Sequence, residues 1–386
     1  MAACEGVTPR AVTTGRVPVV GMVGAGQLAR MTHRAAIDLG LTLRVLADAP
    51  DDSAARVTPD VVVGNYRDLA DLRRFAAGCD VVTFDHEHVP PEHLAVLAGE
   101  GVVLRPGPAA LRHAQDKRAL RETCDELKLP APQWVPVGSA GDVARLGYPV
   151  VCKAVRGGYD GRGVWVVHSP GEVERLLATG TALLAEELVP LRRELSAVVA
   201  RSPAGQAAAY PVVETVQSDG ICVEVLAPAP GLGEERASAA QELALRVAAE
   251  LDVVGILAVE LFETVSGELL VNEFAMRPHN SGHWTIEGAD TSQFEQHLRA
   301  VLDLPLGSPR MPARWVAVAN VLGGADPDVF ARLPEVLARD PGVKVHLYGK
   351  HVRPGRKIGH VTAAGDALGE VRTRASAAAA CLRGPG

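Results

Sequence analysis

The chain has 386 residues, enough at roughly 100–200 residues per domain for two or three domains around a large core. Its 39 Lys and Arg against 46 Asp and Glu give a formal charge of −7, which argues against a broad nucleic-acid or anionic-membrane surface and leaves any anion to particular residues. Only six of the 39 basic residues are lysines (Lys117, Lys128, Lys153, Lys344, Lys350 and Lys357), so each one is worth placing.

Residues 1–16, MAACEGVTPRAVTTGR, have no apolar h-region and read as a disordered tail rather than a signal peptide. The uncharged run from Val17 to Ala29 is too short and glycine-rich to cross a bilayer. The six cysteines are scattered without a C-x-x-C pair, as expected of reduced thiols in a cytoplasm, so neither a disulfide scaffold nor a zinc site is expected. From Val17 the order strand, glycine turn, helix, strand (VPVVGMV, GAGQ, LARMTHRAAIDLG, LTLRVLAD) predicts a β-α-β unit. Further strands at Val61–Val63, Val81–Phe84 and Gly101–Leu104 extend it into a doubly wound parallel-sheet domain over 17–115. One helix is expected from Pro108 through Gln115-Asp116-Lys117 to the proline-rich Leu129-Pro130-Ala131-Pro132. A second domain over 116–310 mixes strands (148–153, 164–168, 182–187, 194–200) with helices, and a small α+β lid is expected over about 150–213. It continues with a helix at 235–252 and two strands around Ser266-Gly267; a β-rich unit over 311–386 ends in a short helix and a frayed terminus. The fold class is therefore α/β with α+β parts.

Four constellations carry candidate chemistry. Gly24-Ala25-Gly26-Gln27-Leu28-Ala29 matches G-x-G-x-x-A after a strand, with Asp48 near where a dinucleotide-binding acid sits; NAD, another phosphate, or a bare βα turn all remain open. Lys153 follows the apolar run Pro149–Cys152 and precedes Gly157-Gly158-Tyr159-Asp160-Gly161-Arg162-Gly163. Four glycines in seven residues let backbone approach an anion that a strand lysine meets as a point charge, which suits a mobile hairpin over ATP; an ordinary flexible loop is the plain alternative. If the Glu260 and Glu273 strands form a hairpin centred on Ser266-Gly267, the two glutamates are direct cross-strand neighbours that should repel. A divalent cation removes that conflict, with Asn272 supplying a further hard oxygen; a protonated or solvent-facing pair, or another register, is the alternative. Finally, Arg277–Trp284 and Lys350–His360 gather cations suited to a phosphate, against the plainer reading of a solvated basic turn. Asp85-His86-Glu87-His88 lies at a strand end where substrate contacts fall in open α/β sheets, and lacks the spacing of a helical zinc motif.

Taken in order, GAGQLARM, VVTFDHEHVP, AQDKRAL, VCKAVRGGYDGRG, AEELVPLRREL, AVELF, LVNEFAMRPHNSGHWT and YGKHVRPGRKIGH resemble the N5-carboxyaminoimidazole ribonucleotide synthetase family of the ATP-grasp superfamily, across about residues 17–366. The lysine loop and Asn272-Glu273 are general to ATP-grasp, whereas RPHNSGHWT and RPGRKIGH are specific to this ligase. The resemblance implies an ATP-grasp architecture: an N-terminal parallel-sheet domain, a central ATP-grasp domain with a mobile lid, and a small β-rich C-terminal domain. It implies ATP contacts at Lys117, Lys153, the loop Gly158, Tyr159, Asp160, Gly161, Arg162, Gly163 and Val164, the adenine-side segment Glu186, Glu187, Leu188 and Val189, the ribose-side Glu194, and Gln217, Asn272 and Glu273. Glu260 and Glu273 are implied ligands of Mg²⁺ (or Mn²⁺), and Glu87, Arg277, His279, Asn280, Lys350, Arg356 and Lys357 implied contacts of 5-aminoimidazole ribonucleotide. Two positions depart from the family pattern: Asp85 stands where many members have Glu, and Gln217 where some have His.

The implied reaction, in purine biosynthesis, carboxylates 5-aminoimidazole ribonucleotide with bicarbonate at the expense of ATP. It runs through carboxyphosphate, with Lys153 and the metal neutralising the γ-phosphoryl group and Arg277 the carboxyl charge. The resemblance implies a cytoplasmic homodimer, with no nucleic-acid or membrane partner. Two rivals make different demands. Another ATP-grasp carboxylate–amine ligase or transformylase needs neither HNSGHW nor RPGRKIGH, and an NAD-binding protein would rest on the first glycine loop and Asp48.

Overall fold

The computed structural model describes residues 15–158 and 161–384; the expected tail up to residue 14, Tyr159, Asp160 and the last two residues lie outside the described residues. Near the N-terminus, four parallel strands stand in the order Asp60–Val63, Thr42–Ala47, Val19–Val23, Val81–Phe84. VVGMV and VVTF are nearly continuous apolar runs because parallel strands are covered on both faces. The strand expected at 101–104 is reduced to an isolated bridge between Val82 and Leu104, since Pro106 has no amide hydrogen to continue a ladder.

The single helix expected from Pro108 is two helices, Pro108–Gln115 and Lys117–Glu126. Asp116 breaks it: in extended conformation, its side chain caps the second helix by accepting from the Arg118 and Ala119 amides. Lys117 is thereby the first residue of a helix, its own amide donating to the Val155 carbonyl at 2.9 Å.

A small antiparallel sheet follows, ordered Trp134–Val137, Leu183–Glu187, Val150–Ala154, Val164–Val167, closed over its own apolar cluster of Val143, Val150, Cys152, Val173 and Leu183. This unit spans 134–187. The lid expected over about 150–213 overlaps this unit and runs on into Leu191–Arg201 and Val213–Ser218, which pair in the large sheet. That sheet runs Leu269–Ala275, Gly255–Thr264, Leu191–Arg201, Val213–Ser218, Ile221–Ala227, Trp315–Leu322, Lys357–Gly365, Lys344–Leu347, with Ala207–Ala209 added on Leu191–Arg201. The β-rich C-terminal part thus extends the central sheet instead of forming one of its own. It ends in a helix longer than expected, Leu368–Arg383, which buries Val371, Ala375 and Leu382 against those strands.

Helix Gln293–Val301 joins the parallel sheet to the large one. Its Phe294, Leu298 and Val301 pack with Leu28, Ala35 and Tyr348. His297, fully buried and pushed down to about 3 by that burial, accepts from the Ile256 amide at Nδ1. Its Nε2 proton therefore points to Thr83 Oγ1, 2.8 Å away on the strand that leads to Asp85. No described helix is long and apolar enough to cross a membrane.

Candidate active site

The small sheet, the large sheet and the C-terminal ends of the parallel strands enclose one cleft of about 690 Å³. At its centre is the hairpin of Gly255–Thr264 and Leu269–Ala275. Glu260 pairs directly with Glu273, the register the sequence predicts, but from Leu261 onward the partner shifts to Val271. Asn272 is the extra residue of this bulge, and a bulge sets neighbouring side chains on one face. Asn272 and Glu273 consequently both line the cleft, opposite Glu260 and Phe262.

Two lysines meet this face from different elements. Lys117 Nζ lies 2.5 Å from Glu273 Oε2, and Lys153 Nζ, from the small sheet, lies 3.1 Å from Asn272 Oδ1 and 2.7 Å from Glu186 Oε2. Burial alone would raise the Glu273 carboxyl, yet Lys117 holds it at about 2; the same pairing outweighs burial to lift the Lys117 ammonium above its ordinary range. The Lys153 ammonium is lowered by burial, with Glu186 opposing. Glu194, beyond Glu260, is pushed up to about 7, first by burial and then by the charge of Glu260, while a hydrogen bond from Gln217 works the other way. Gln217 reaches it from a second register shift, between Val216 and Gln217. In the glycine loop, a Cβ on Gly158 would stand 2.7 Å from the Arg162 carbonyl oxygen, so the narrow neck of the loop admits only glycine there.

At the opposite end Arg277 Nε donates to Glu87 Oε2 at 2.8 Å, and Glu87 Oε1 is buried without a hydrogen-bond partner among the described residues. His279 Nε2 lies 3.1 Å from Glu260 Oε1, while its Nδ1 shares a proton with Ser281 Oγ at 2.8 Å, which in turn meets Ser196 Oγ at 2.7 Å. Buried Gln293 clamps this loop, accepting from the His279 amide at 2.9 Å and donating to its carbonyl at 2.7 Å. The two ends of the cleft are linked through Glu260.

The first glycine loop holds an anion, but one from the protein itself. Asp85 Oδ2 accepts from the Gly26 amide at 2.5 Å, and Oδ1 from the Ala29 amide at 3.3 Å, at the start of helix Gln27–Asp38. Burial raises the Asp85 carboxyl from its ordinary value, against those amides and the charges of Arg277 and Lys350. A pyrophosphate could bind there only by displacing this carboxylate, which removes the physical basis of the NAD rival.

Of the residues singled out from sequence, Glu87, Lys117, Lys153, Gly158, Gly161, Arg162, Val164, the segment Glu186–Glu187–Leu188–Val189, Glu194, Gln217, Glu260, Asn272, Glu273, Arg277, His279, Asn280 and Lys357 line the cleft. Gly163 does not; its carbonyl instead accepts from the Ala154 amide at the base of the loop. Lys350 stands at the rim, donating to Gln27 Oε1 and lying 5.7 Å from the centre of the Tyr348 ring, and exposed Arg356 bonds the His351 carbonyl of its own turn. Tyr159 and Asp160 lie outside the described residues. Sequence reasoning missed Gln293, Ser196 and Arg121; only Arg121 carried a signal, being one helical turn after Lys117.

Comparison with known proteins divides the chain into three matched segments. Residues 17–115 match the ribonucleotide synthetase preATP-grasp domain, 122–294 the ATP-grasp domain, and 317–374 the phosphoribosylaminoimidazole carboxylase C-terminal domain. The chain is 56% identical over 390 residues to N5-carboxyaminoimidazole ribonucleotide synthase of Mycobacterium tuberculosis, covering 98% of this chain and 91% of that one. Among solved structures, N5-carboxyaminoimidazole ribonucleotide synthetase from Thermus thermophilus superposes with a TM-score of 0.83 at 42% identity, over 91% of this chain and 95% of that one. N5-carboxyaminoimidazole synthase from Aspergillus clavatus, in complex with ADP and 5-aminoimidazole ribonucleotide, superposes with a TM-score of 0.86 at 33% identity, over 95% and 98%.

Proposed function

The chain belongs to the N5-carboxyaminoimidazole ribonucleotide synthase family of three-domain ATP-grasp ligases, and from that premise we propose how its cleft divides the work. The reaction is the ATP-dependent carboxylation of 5-aminoimidazole ribonucleotide in purine biosynthesis, forming a carbon–nitrogen bond (EC 6.3.4.18). ATP occupies the end between the small and large sheets. There Lys117 and Lys153 meet its phosphates, the glycine loop including Tyr159 and Asp160 covers them, the backbone of 186–189 meets the base, and Glu194 with Gln217 holds the ribose. Bicarbonate attacks the γ-phosphorus in line to give carboxyphosphate and ADP. The work of the protein at this step is positioning and charge stabilisation.

The ribonucleotide occupies the other end. The unpartnered Glu87 Oε1 accepts a hydrogen bond from its exocyclic amine, and Arg277, held by the same carboxylate, stabilises the carboxyl charge as the amine nitrogen attacks carbon and phosphate leaves. His279 and Asn280 flank that carboxyl, and Lys350, Arg356 and Lys357 meet the ribonucleotide phosphate. The domain limits 17–115, 116–310 and 311–386 are part of this reading.

The carboxylates fit a divalent cation. Glu260 and Glu273 are cross-strand neighbours in the cleft, Asn272 adds an oxygen, and the charges of both glutamates help push Glu194 to about 7, a crowding that a cation relieves. Mg²⁺ or Mn²⁺ would be held by Glu260 and Glu273 and would supply neutralising charge for the phosphates. A cytoplasmic homodimer is part of the same reading, checked by sedimentation of the purified chain.

The observation that carries this function is the meeting, in one cleft, of the Lys117 and Lys153 cluster with the Arg277–Glu87 pair. The test is phosphate release from ATP and bicarbonate with and without 5-aminoimidazole ribonucleotide. Release that ignores the ribonucleotide would overturn the assignment.

A further inference from the structure

Arg121 is buried to 1% exposure on helix Lys117–Glu126 and does not line the cleft, yet it ties together three of the elements that do. Its Nε donates to Glu186 Oε1 at 2.7 Å on the small sheet, and its two terminal nitrogens donate to the Val271 and Asn272 carbonyls, each at 2.9 Å, on the strand carrying the bulge. The second oxygen of Glu186 takes Lys153 Nζ at 2.7 Å. The side chains of Arg121, Glu186 and Lys153 are 1%, 3% and 9% exposed, so their charges interact with little screening by solvent.

The charge count matters for a phosphate. Glu186 and Lys153 by themselves form a neutral buried pair, whose cation is spent on its own carboxylate. With Arg121 the group holds two cations and one anion. We propose that Arg121 is the positioning residue of the phosphate lysine: sharing Glu186, it leaves the buried trio with a net charge of +1, so that Lys153 is not spent on its own carboxylate. This rests on the ATP reading of the cleft. The planar fork of arginine suits the task, because one guanidinium reaches a carboxylate and two carbonyls that diverge from it.

The test is a charge-compensation cycle in the full-length enzyme, read as KM for ATP and KM for 5-aminoimidazole ribonucleotide, with ATP affinity by calorimetry. Arg121→Met is expected to raise KM for ATP about tenfold or more, the scale of one charge-assisted contact, with KM for the ribonucleotide within about twofold. Arg121→Met combined with Glu186→Gln restores a net +1 on Lys153 and is expected to bring KM for ATP back to within about threefold of the parent. A purely structural arginine predicts a double variant no better than the single one, and that result would overturn the proposal, as would an unchanged KM for ATP in Arg121→Met. Should Arg121→Met not fold, the double variant, which buries no unpaired carboxylate, decides alone: KM for ATP near the parent supports the proposal and a rise above about tenfold refutes it. Should neither fold, Arg121→Lys decides by the same two limits. Failure of the unmodified enzyme to release phosphate in response to the ribonucleotide would instead sink the function reading, a separate outcome.

Discussion

Replacing Gly26 by alanine probes what the first glycine loop is for. Gly26 has φ −78° and ψ −163°, which any residue adopts, so the cost of the change lies in contacts and not in the backbone. The new methyl carbon would stand 2.4 Å from Asp85 Oδ2 and 3.3 Å from Asp85 Cγ, about 1 Å inside an ordinary contact. The carboxylate cannot retreat without stretching its bonds to the Gly26 and Ala29 amides, at 2.5 and 3.3 Å. Overpacking costs about 1–3 kcal/mol and a weakened charged hydrogen bond about 1.5–3 kcal/mol, which with partial relaxation places the loss near 3 kcal/mol. Urea unfolding followed by circular dichroism measures it. Because Gln27 accepts from Lys350 Nζ, the shift also moves a proposed phosphate lysine, and KM for the ribonucleotide should rise more than KM for ATP. Unfolding within about 0.5 kcal/mol of the parent, with both KM values unchanged, would refute the reasoning that Asp85 fills this loop.

Other outcomes follow from the same geometry. Glu273→Ala should still fold but with some loss of stability, since relief of the facing Glu260 is set against loss of the Lys117 ion pair, and it should lose Mg²⁺-dependent phosphate release; unchanged turnover across a Mg²⁺ titration would remove the metal reading. Glu194, raised in the folded state to about 7, takes up protons on folding, so its contribution to stability is greatest at acid pH and falls as pH rises from about 4.5 through 7. Glu194→Gln, measured by urea unfolding in chelator, should therefore gain stability relative to the parent above pH 7, on the order of 1–3 kcal/mol, and show little difference near pH 4.5. Lys350→Ala should raise KM for the ribonucleotide about ten- to hundredfold with a much smaller effect on ATP; equal effects on both would contradict its place at the phosphate.

Much of the site was legible because its signals are local. Glycine spacing and the parity of a hairpin about Ser266-Gly267 pointed to Lys153 and the Glu260–Glu273 pair, and the ordered motifs led to the family and, through that resemblance, to Lys117. Local signals also misled where a distant partner decided the outcome. Asp116 interrupts an otherwise continuous helical pattern by capping the next helix, and the small sheet ends at 187 because the following strand pairs with Gly255–Thr264, some sixty residues later in the chain. The glycine fingerprint was equally compatible with NAD, phosphate or nothing, since sequence does not show that Asp85, 59 residues away, occupies the amides.

What the amino-acid order determined alone was thus the inventory: element types, the parallel and antiparallel sheets, the cations and carboxylates available, and the family they belong to. Tertiary structure decided how they are used. The bulge that turns both Asn272 and Glu273 into the cleft, the buried Arg121–Glu186–Lys153 group and the docking of Lys350 on Gln27 each join residues far apart in sequence. Periodicity encodes which face a side chain takes within its own element, whereas hydrogen bonds and buried charge depend on which elements the packed core brings within about 3 Å.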